Sequence, residues 1–149
     1  SSTSTSCVMT DEFSPLERIL LTANGTVQRI LSAFWNATVT VEIITNARLD
    51  ETAVTDPLKA VFRREVNIRC RDNVVCNAKS TITITDPEHL RLIEEELVGI
   101  GQLFRYLNVL PEFELVRAGQ TPETFWRDYE LRSAGIACRI HEEFYKRTF

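Results

Sequence analysis

Glycine is scarce in this chain, with five in 149 residues, and proline is no commoner, also at five. Glycines so few and so scattered make no Gly-rich phosphate loop, which argues against the common nucleotide-binding fingerprints. No Gly-x-Ser-x-Gly segment occurs either, so a serine hydrolase of the nucleophile-elbow kind is not expected. The four cysteines, Cys7, Cys70, Cys76 and Cys138, include no Cys-x-x-Cys pair, and the only histidines are His89 and His141. That set does not compose a zinc site. The thiols are expected to be free, with two disulfides as the alternative. No apolar run reaches the roughly 18 residues of a membrane span. Excess charge is small and negative, −4 with a pI near 5.3. It offers no basic footprint for nucleic acid or an anionic membrane. The expected partner is therefore a small molecule, the expected assembly a monomer or homodimer, and the expected location the cytoplasm, since no signal peptide is visible. Two sequons, Asn24-Gly25-Thr26 and Asn36-Ala37-Thr38, together with the cysteines keep the secretory pathway as the alternative.

What is present suits one core. A content of 44% hydrophobic and 26% charged residues over this length is ordinary for one globular domain. The opening "SSTSTSC" is polar, so residues 1–13 are expected to be poorly ordered and 14–149 to form the domain. "SPLE" carries a helix start: Ser14 as N-cap, Pro15 at the first position and Glu17 at the third. Leu16, Ile19 and Leu20 follow on one face. "NGT" breaks this helix, and Val27, Ile30, Leu31, Phe34 and Trp35 then repeat at helical spacing.

The period then drops to two. Val39, Val41 and Ile43 share one strand face; Phe62, Val66, Ile68 and Cys70 share another. "RDN" is a turn signal, and the strand after it turns Val74, Cys76, Ala78, Ile82 and Ile84 inward. A helix capped by Thr85 or Asp86, with Pro87 in its first turn, has the stripe Leu90, Ile93, Leu97 and Val98. "GQLFRYLN" predicts a second short helix, and "FELVRAG", "TFWRDYELRSA" and "GIACRIHEEFYK" predict three more strands. Two helices, three strands, two helices, three strands is not strand–helix alternation. It implies an α+β domain with about six mostly antiparallel strands and helices gathered at one side.

Three charges break the alternation. Arg64 is in phase with Phe62, Val66 and Ile68; Arg127 with Phe125, Tyr129 and Leu131; Glu142 with Ile140 and Phe144. An unpaired charge facing a core is prohibitively costly. Pairing among themselves, or a bulge that turns one outward, would account for each alone. On three strands together they suggest an internal site: guanidinium groups for a carboxylate, and a carboxylate to accept a hydroxyl hydrogen bond or move a proton. Arg105 in "FRYL" is a further candidate for the anion, while the segment itself is expected to pack a helix over the sheet. His141 alternates onto the other face and reads as a solvated strand histidine.

"LERILLTANGTVQRIL", "FRREV", "GQLFRYL", "WRDYELRSAG" and "RIHEEFY" occur in the order found in chorismate lyase and its relatives, over roughly Leu16 to Tyr145. The chain resembles that family, and is most similar to the branch with "(D/N)GT" after its first helix. The resemblance implies a single antiparallel sheet with helical flaps over an internal pocket. It also implies a reaction that removes pyruvate from chorismate and leaves 4-hydroxybenzoate, with no cofactor. It assigns Arg64 to the ring carboxylate, Glu142 to the ring oxygen, Leu103 to the pocket lining, and Arg127 as the remaining strand arginine. Gly25, Thr26, Arg105 and Tyr129 join these as substrate-binding candidates. Arg127 with Arg105 would hold the pyruvyl carboxylate. Three features depart from the family: His141 stands where a threonine is usual, "NARLDETAVTDPLKA" implies a reduced flap, and "TANGT" lacks the apolar lining of the best-known bacterial branch. Replacing Arg64 or Glu142 by Ala is expected to stop pyruvate release and leave the fold intact. Two other readings stay open. One is a different lyase, isomerase or pericyclic enzyme acting on another cyclic carboxylate or enol ether. The other is a non-catalytic effector-binding domain, for which a preceding helix-turn-helix would be expected.

Overall fold

The computed structural model describes residues 2–25, 27–49, 59–95 and 100–149, with backbone alone at 93, 95 and 100–102. Thr26, Leu97, Val98 and the flap segment around 50–58 fall outside the described residues. Helices α1 (Pro15–Thr22) and α2 (Val27–Trp35) precede strands β1 (Val39–Arg48), β2 (Ala60–Cys70) and β3 (Asn73–Ile84). Helices α3 (Pro87–Glu95) and α4 (Ile100–Tyr106) precede β4 (Glu112–Gln120), β5 (Thr124–Ser133) and β6 (Ile136–Tyr145), and a short 3-10 turn (Lys146–Thr148) follows. All six strands form one antiparallel sheet in the order β1-β2-β3-β6-β5-β4. The α+β class expected from the element order is thus present.

Each half is a helix pair followed by a three-stranded meander, and the last strands of the two meanders, β3 and β6, pair at the centre. The C-terminal strand therefore lies in the middle of the sheet. Both edge strands carry a register shift, at Ile43/Thr45 in β1 and Leu115/Arg117 in β4. Such shifts twist an edge away from pairing with another chain.

Alternation selects the buried face. In β6, Ile136, Cys138, Ile140, Glu142 and Phe144 are buried, and in β5, Phe125, Arg127, Tyr129 and Leu131. Two apolar clusters cover this face. One contains Leu20, Leu21, Leu31, Ile68, Cys76, Phe125 and Phe144 under α1 and α2. The other contains Phe62, Ile82, Ile84, Leu92, Leu103, Phe104, Tyr129 and Ile140 under α3 and α4. All four cysteines are free, with Cys7 exposed and the others buried. No described helix is long and apolar enough to cross a membrane.

Local signals were largely obeyed. Ser14 Oγ accepts from the Glu17 amide at 3.2 Å and Glu17 Oε1 from the Ser14 amide at 2.9 Å, closing the capping box. Asp86, rather than Thr85, caps α3, its Oδ1 accepting from the Glu88 amide at 2.8 Å and the His89 amide at 3.3 Å. The fine placement of apolar residues differs in places, and Phe34, Val41 and Ile43 are among those left exposed. In α1 the buried pair is Leu20 and Leu21, and Ile19 is 54% exposed. Ile19 sits about 200° around the helix from Leu21, off the edge of the buried stripe. In β3 a register shift between Ile68 and Arg69 turns Val75 inward beside Cys76, in place of Val74. In α3 Leu92 is buried and Leu90 is partly covered, and the side chain of Ile93 lies outside the described residues. Ahead of α1, Phe13 is buried and Met9 packs against the same cluster.

Gly135 makes the β5–β6 turn with φ +79°, and its carbonyl accepts from the Thr85 amide at 3.0 Å. A Cβ there would sit 2.6 Å from Asp86 Cβ, the residue that caps α3. Left-handed backbone costs an L-residue about 1–2 kcal/mol before any clash. Gly135→Ala is therefore expected to destabilise the fold by at least about 2 kcal/mol, read as a lower urea midpoint at unchanged slope.

Candidate functional site

Strands β5 and β6 place three cross-strand pairs in successive layers of the buried face. Phe125 lies opposite Phe144, Arg127 opposite Glu142, and Tyr129 opposite Ile140. The first pair belongs to the cluster under α1 and α2, and the last to the cluster under α3 and α4. Arg127 and Glu142 therefore occupy the layer between two apolar clusters, 0% and 5% exposed.

These charges meet. Arg127 Nε donates to Glu142 Oε1 at 2.7 Å, and the Tyr129 hydroxyl donates to Glu142 Oε2 at 3.1 Å. Arg127 Nη1 donates to the carbonyls of Leu21 at 3.2 Å and Ala23 at 2.5 Å. Those carbonyls belong to the C-terminal end of α1, where the helix leaves acceptors unsatisfied and its dipole is negative. The guanidinium also lies 4.0 Å from the Tyr129 ring centre and 5.6 Å from that of Phe113. Its remaining nitrogen, Nη2, is buried and makes no hydrogen bond.

Burial, the largest single effect, would weaken the Arg127 charge, but the charge and hydrogen bond of Glu142 with the smaller contributions of Tyr129 and Cys76 together outweigh it, and the net shift is upward. Burial, followed by the Glu142 charge, pushes the Tyr129 phenol well above its ordinary range, so it stays a neutral donor.

Arg64 is 2% exposed on β2, opposite Ser80 of β3, which in turn faces Ile140 of β6. The neighbouring layer runs from Val66 through Ala78 to Glu142 and Arg127. Arg64 and Arg127 thus share one face, three strand spacings apart and one layer out of line, or about 16 Å. Ala78 and Ser80 of β3 and Ile140 of β6 lie on the strands between them. Burial lowers the Arg64 pKa. The Cys138 thiol is pushed up to about 12 by burial, against the pull of the Arg64 charge, so it is an inert core thiol.

Leu103 is fully buried in the cluster that also holds Phe62 and Tyr129. Arg105 is exposed, and Gly25 lies in the turn after α1 with φ +99° and open space around it. Of the sequence candidates, the structure joins Arg127, Glu142 and Tyr129 directly and sets Arg64 and Leu103 on the same face. It does not bring Arg105 into that group. Among the described residues no group of three or more His, Cys, Asp or Glu side chains is placed to hold a metal ion.

Sequence reasoning missed two features. One is the α1 carbonyls as acceptors for Arg127, which depend on how α1 docks. The other is His141, expected to be solvated and found partly buried, with Nδ1 2.6 Å from Asp128 Oδ1 and Nε2 3.0 Å from Glu143 Oε1. It lies on the outer face, beside a groove of about 330 Å3 that Arg63, Lys79 and Arg139 also line. No family profile matches the chain, and no curated protein matches it in sequence.

The Arg127–Glu142 pair changes one expectation. Glu142→Ala would not leave the fold untouched, because it strands a fully buried guanidinium. That substitution is expected to lower stability by about 3–5 kcal/mol. Leu at both 127 and 142 is expected to cost less than the sum of the single losses, and a double-mutant cycle in urea reads the coupling.

Proposed function

We propose that the helix-covered face between Arg64, Arg127 and Glu142 binds a small cyclic dicarboxylate, and that the chain is a chorismate lyase-like enzyme forming 4-hydroxybenzoate and pyruvate. The observation that carries this reading is the burial of two arginines and a glutamate on one face, with the small side chains of Ala78 and Ser80 on the strand between them. Charges of this kind are retained in a core when they have partners or a ligand to bind. The order of motifs that resembles the lyase family points to the same three residues.

In this reading Arg64 holds the ring carboxylate as a planar guanidinium fork. Arg127 offers its Nη2, the buried donor that makes no hydrogen bond, to the second carboxylate. Leu103 supports the apolar wall. Glu142 meets the ring C4 hydroxyl through the lone pairs that Arg127 and Tyr129 leave unused. Loss of enolpyruvate from the neighbouring ring carbon, together with the C4 hydrogen, aromatises the ring, so much of the driving force lies in the substrate. The work left to the protein is selection of one conformer and support of charge as the C–O bond breaks.

One observation favours a second reading, a domain that binds an aromatic acid without converting it. Both Glu142 oxygens already accept a hydrogen bond, from Arg127 and from Tyr129, which suits an orienting group better than a proton carrier. Incubation with chorismate separates the two. The lyase reading requires 4-hydroxybenzoate and pyruvate in equal amounts from the wild-type chain. It also requires a fall in kcat/KM on the order of 10²–10³ for Arg64→Ala and for Glu142→Gln. Binding of 4-hydroxybenzoate without turnover of chorismate would establish the second reading instead, and full activity in both variants would remove these residues from the site.

A further inference from the structure

We propose that His141 is a doubly protonated pin on the outer face of β5 and β6, and that loss of its proton releases one carboxylate and loosens the alignment of the buried Arg127–Glu142 pair. The inference concerns the ion pair itself and stands whether or not the chain is a lyase.

The argument begins with donors. Nδ1 of His141 is 2.6 Å from Asp128 Oδ1, and Nε2 is 3.0 Å from Glu143 Oε1. Ionised carboxylates only accept, and a neutral imidazole carries one N–H. Both contacts are hydrogen bonds only if both ring nitrogens are protonated. With one proton gone, one nitrogen would set its lone pair against a carboxylate. Asp128 is held ionised by a further partner: Arg117 Nε donates to its other oxygen at 2.9 Å. Burial opposes that ionisation, but the hydrogen bonds from His141 and Arg117 outweigh it and hold the Asp128 carboxyl below its usual range. Trp126 closes one side, stacked on the imidazole at 5.5 Å between centroids, with Arg117 5.7 Å from its indole ring.

The surrounding charges come from every neighbouring strand. β3 contributes Lys79, directly opposite His141, and β6 contributes Arg139, Glu143 and Tyr145. Asp128 and Glu130 come from β5, Arg117 from β4, and Glu65 with Arg63 from β2. Of the nearest cations, Arg139 bonds Glu130 at 3.0 Å, and Lys79 lies in register between His141 and Glu65. Partial burial lowers the His141 pKa, but the hydrogen bonds to Glu143 and Asp128 exceed that effect and the net shift is upward from 6.5. A group whose folded pKa is raised contributes stability that is complete below the unfolded value and is lost as pH rises through the folded one. The pin therefore holds in mildly acidic solution and releases above it.

Position links the pin to the interior. Asp128–His141 and Arg127–Glu142 are consecutive cross-strand pairs, one projecting outward and the next inward. Adjacent residues in a strand are about 3.4 Å apart and point to opposite faces. A change in how Asp128 and His141 sit across the strands moves the backbone that aims Arg127 and Glu142. His141 acts through that pair and is a positioning residue.

An NMR titration of the full chain tests this, following the His141 imidazole together with the backbone amides of Arg127 and Glu142. The His141 midpoint is expected above 6.5, and both amides are expected to shift with that same midpoint. Asp128→Asn and, separately, Glu143→Gln are each expected to lower it. In His141→Gln the shared inflection of the two amides is expected to vanish. A wild-type midpoint at or below the ordinary value would overturn the proposal, as would flat Arg127 and Glu142 amides across it. Neither readout needs a folded variant or any activity, so failure here is separate from failure of the lyase reading.

Discussion

A buried arginine and a buried glutamate, bonded at 2.7 Å across β5 and β6, organise the helix-covered side of this protein. Neither can stand alone in that environment, since an unanswered charge in a core costs more than most domains have in net stability. Their mutual bond answers only part of the demand. The Tyr129 hydroxyl takes the second carboxylate oxygen, and the carbonyls at the end of α1 take two of the guanidinium hydrogen bonds. One polar layer thereby ties two central strands to the first helix. It also separates the apolar cluster under α1 and α2 from the one under α3 and α4.

The topology gives that layer its place. Two copies of a helix pair followed by a meander meet at β3 and β6, so β2 and β5 are the middle strands of the two meanders. Arg64 and Arg127 occupy these corresponding strands and approach the centre from opposite sides. Their cross-strand partners differ: Ser80 faces Arg64, where Glu142 faces Arg127. One arginine is spent largely on holding the fold. The other, Arg64, is buried opposite Ser80, with Ala78 in the neighbouring layer.

Much of this was legible from residue types in order. The capping box at Ser14 and Glu17, the switch from period 3.6 to period 2, and the three charges in phase with apolar residues all reappear in the structure. Where the reading slipped, the cause was local geometry that alternation does not encode. A register shift in the β2–β3 hairpin exchanged Val75 for Val74, and the docking angle of α1 exposed Ile19. His141 was misjudged because solvation was inferred from its face alone. The Asp128 and Glu143 carboxylates that hold it become visible only when β5 and β6 are paired.

The sequence by itself determined the class of fold and, away from register shifts, the face on which most strand residues lie, because hydrophobic period is a one-dimensional property. Tertiary structure alone decided the partners. Which carboxylate meets which arginine depends on cross-strand register, and which carbonyls complete the guanidinium depends on where a helix ends above the sheet. Both are distances between residues far apart in the chain, from Leu21 to Arg127 and from Arg127 to Glu142. Hydrogen bonds from N–H to oxygen cluster at about 2.7–3.2 Å, and packing, not pattern, sets that separation.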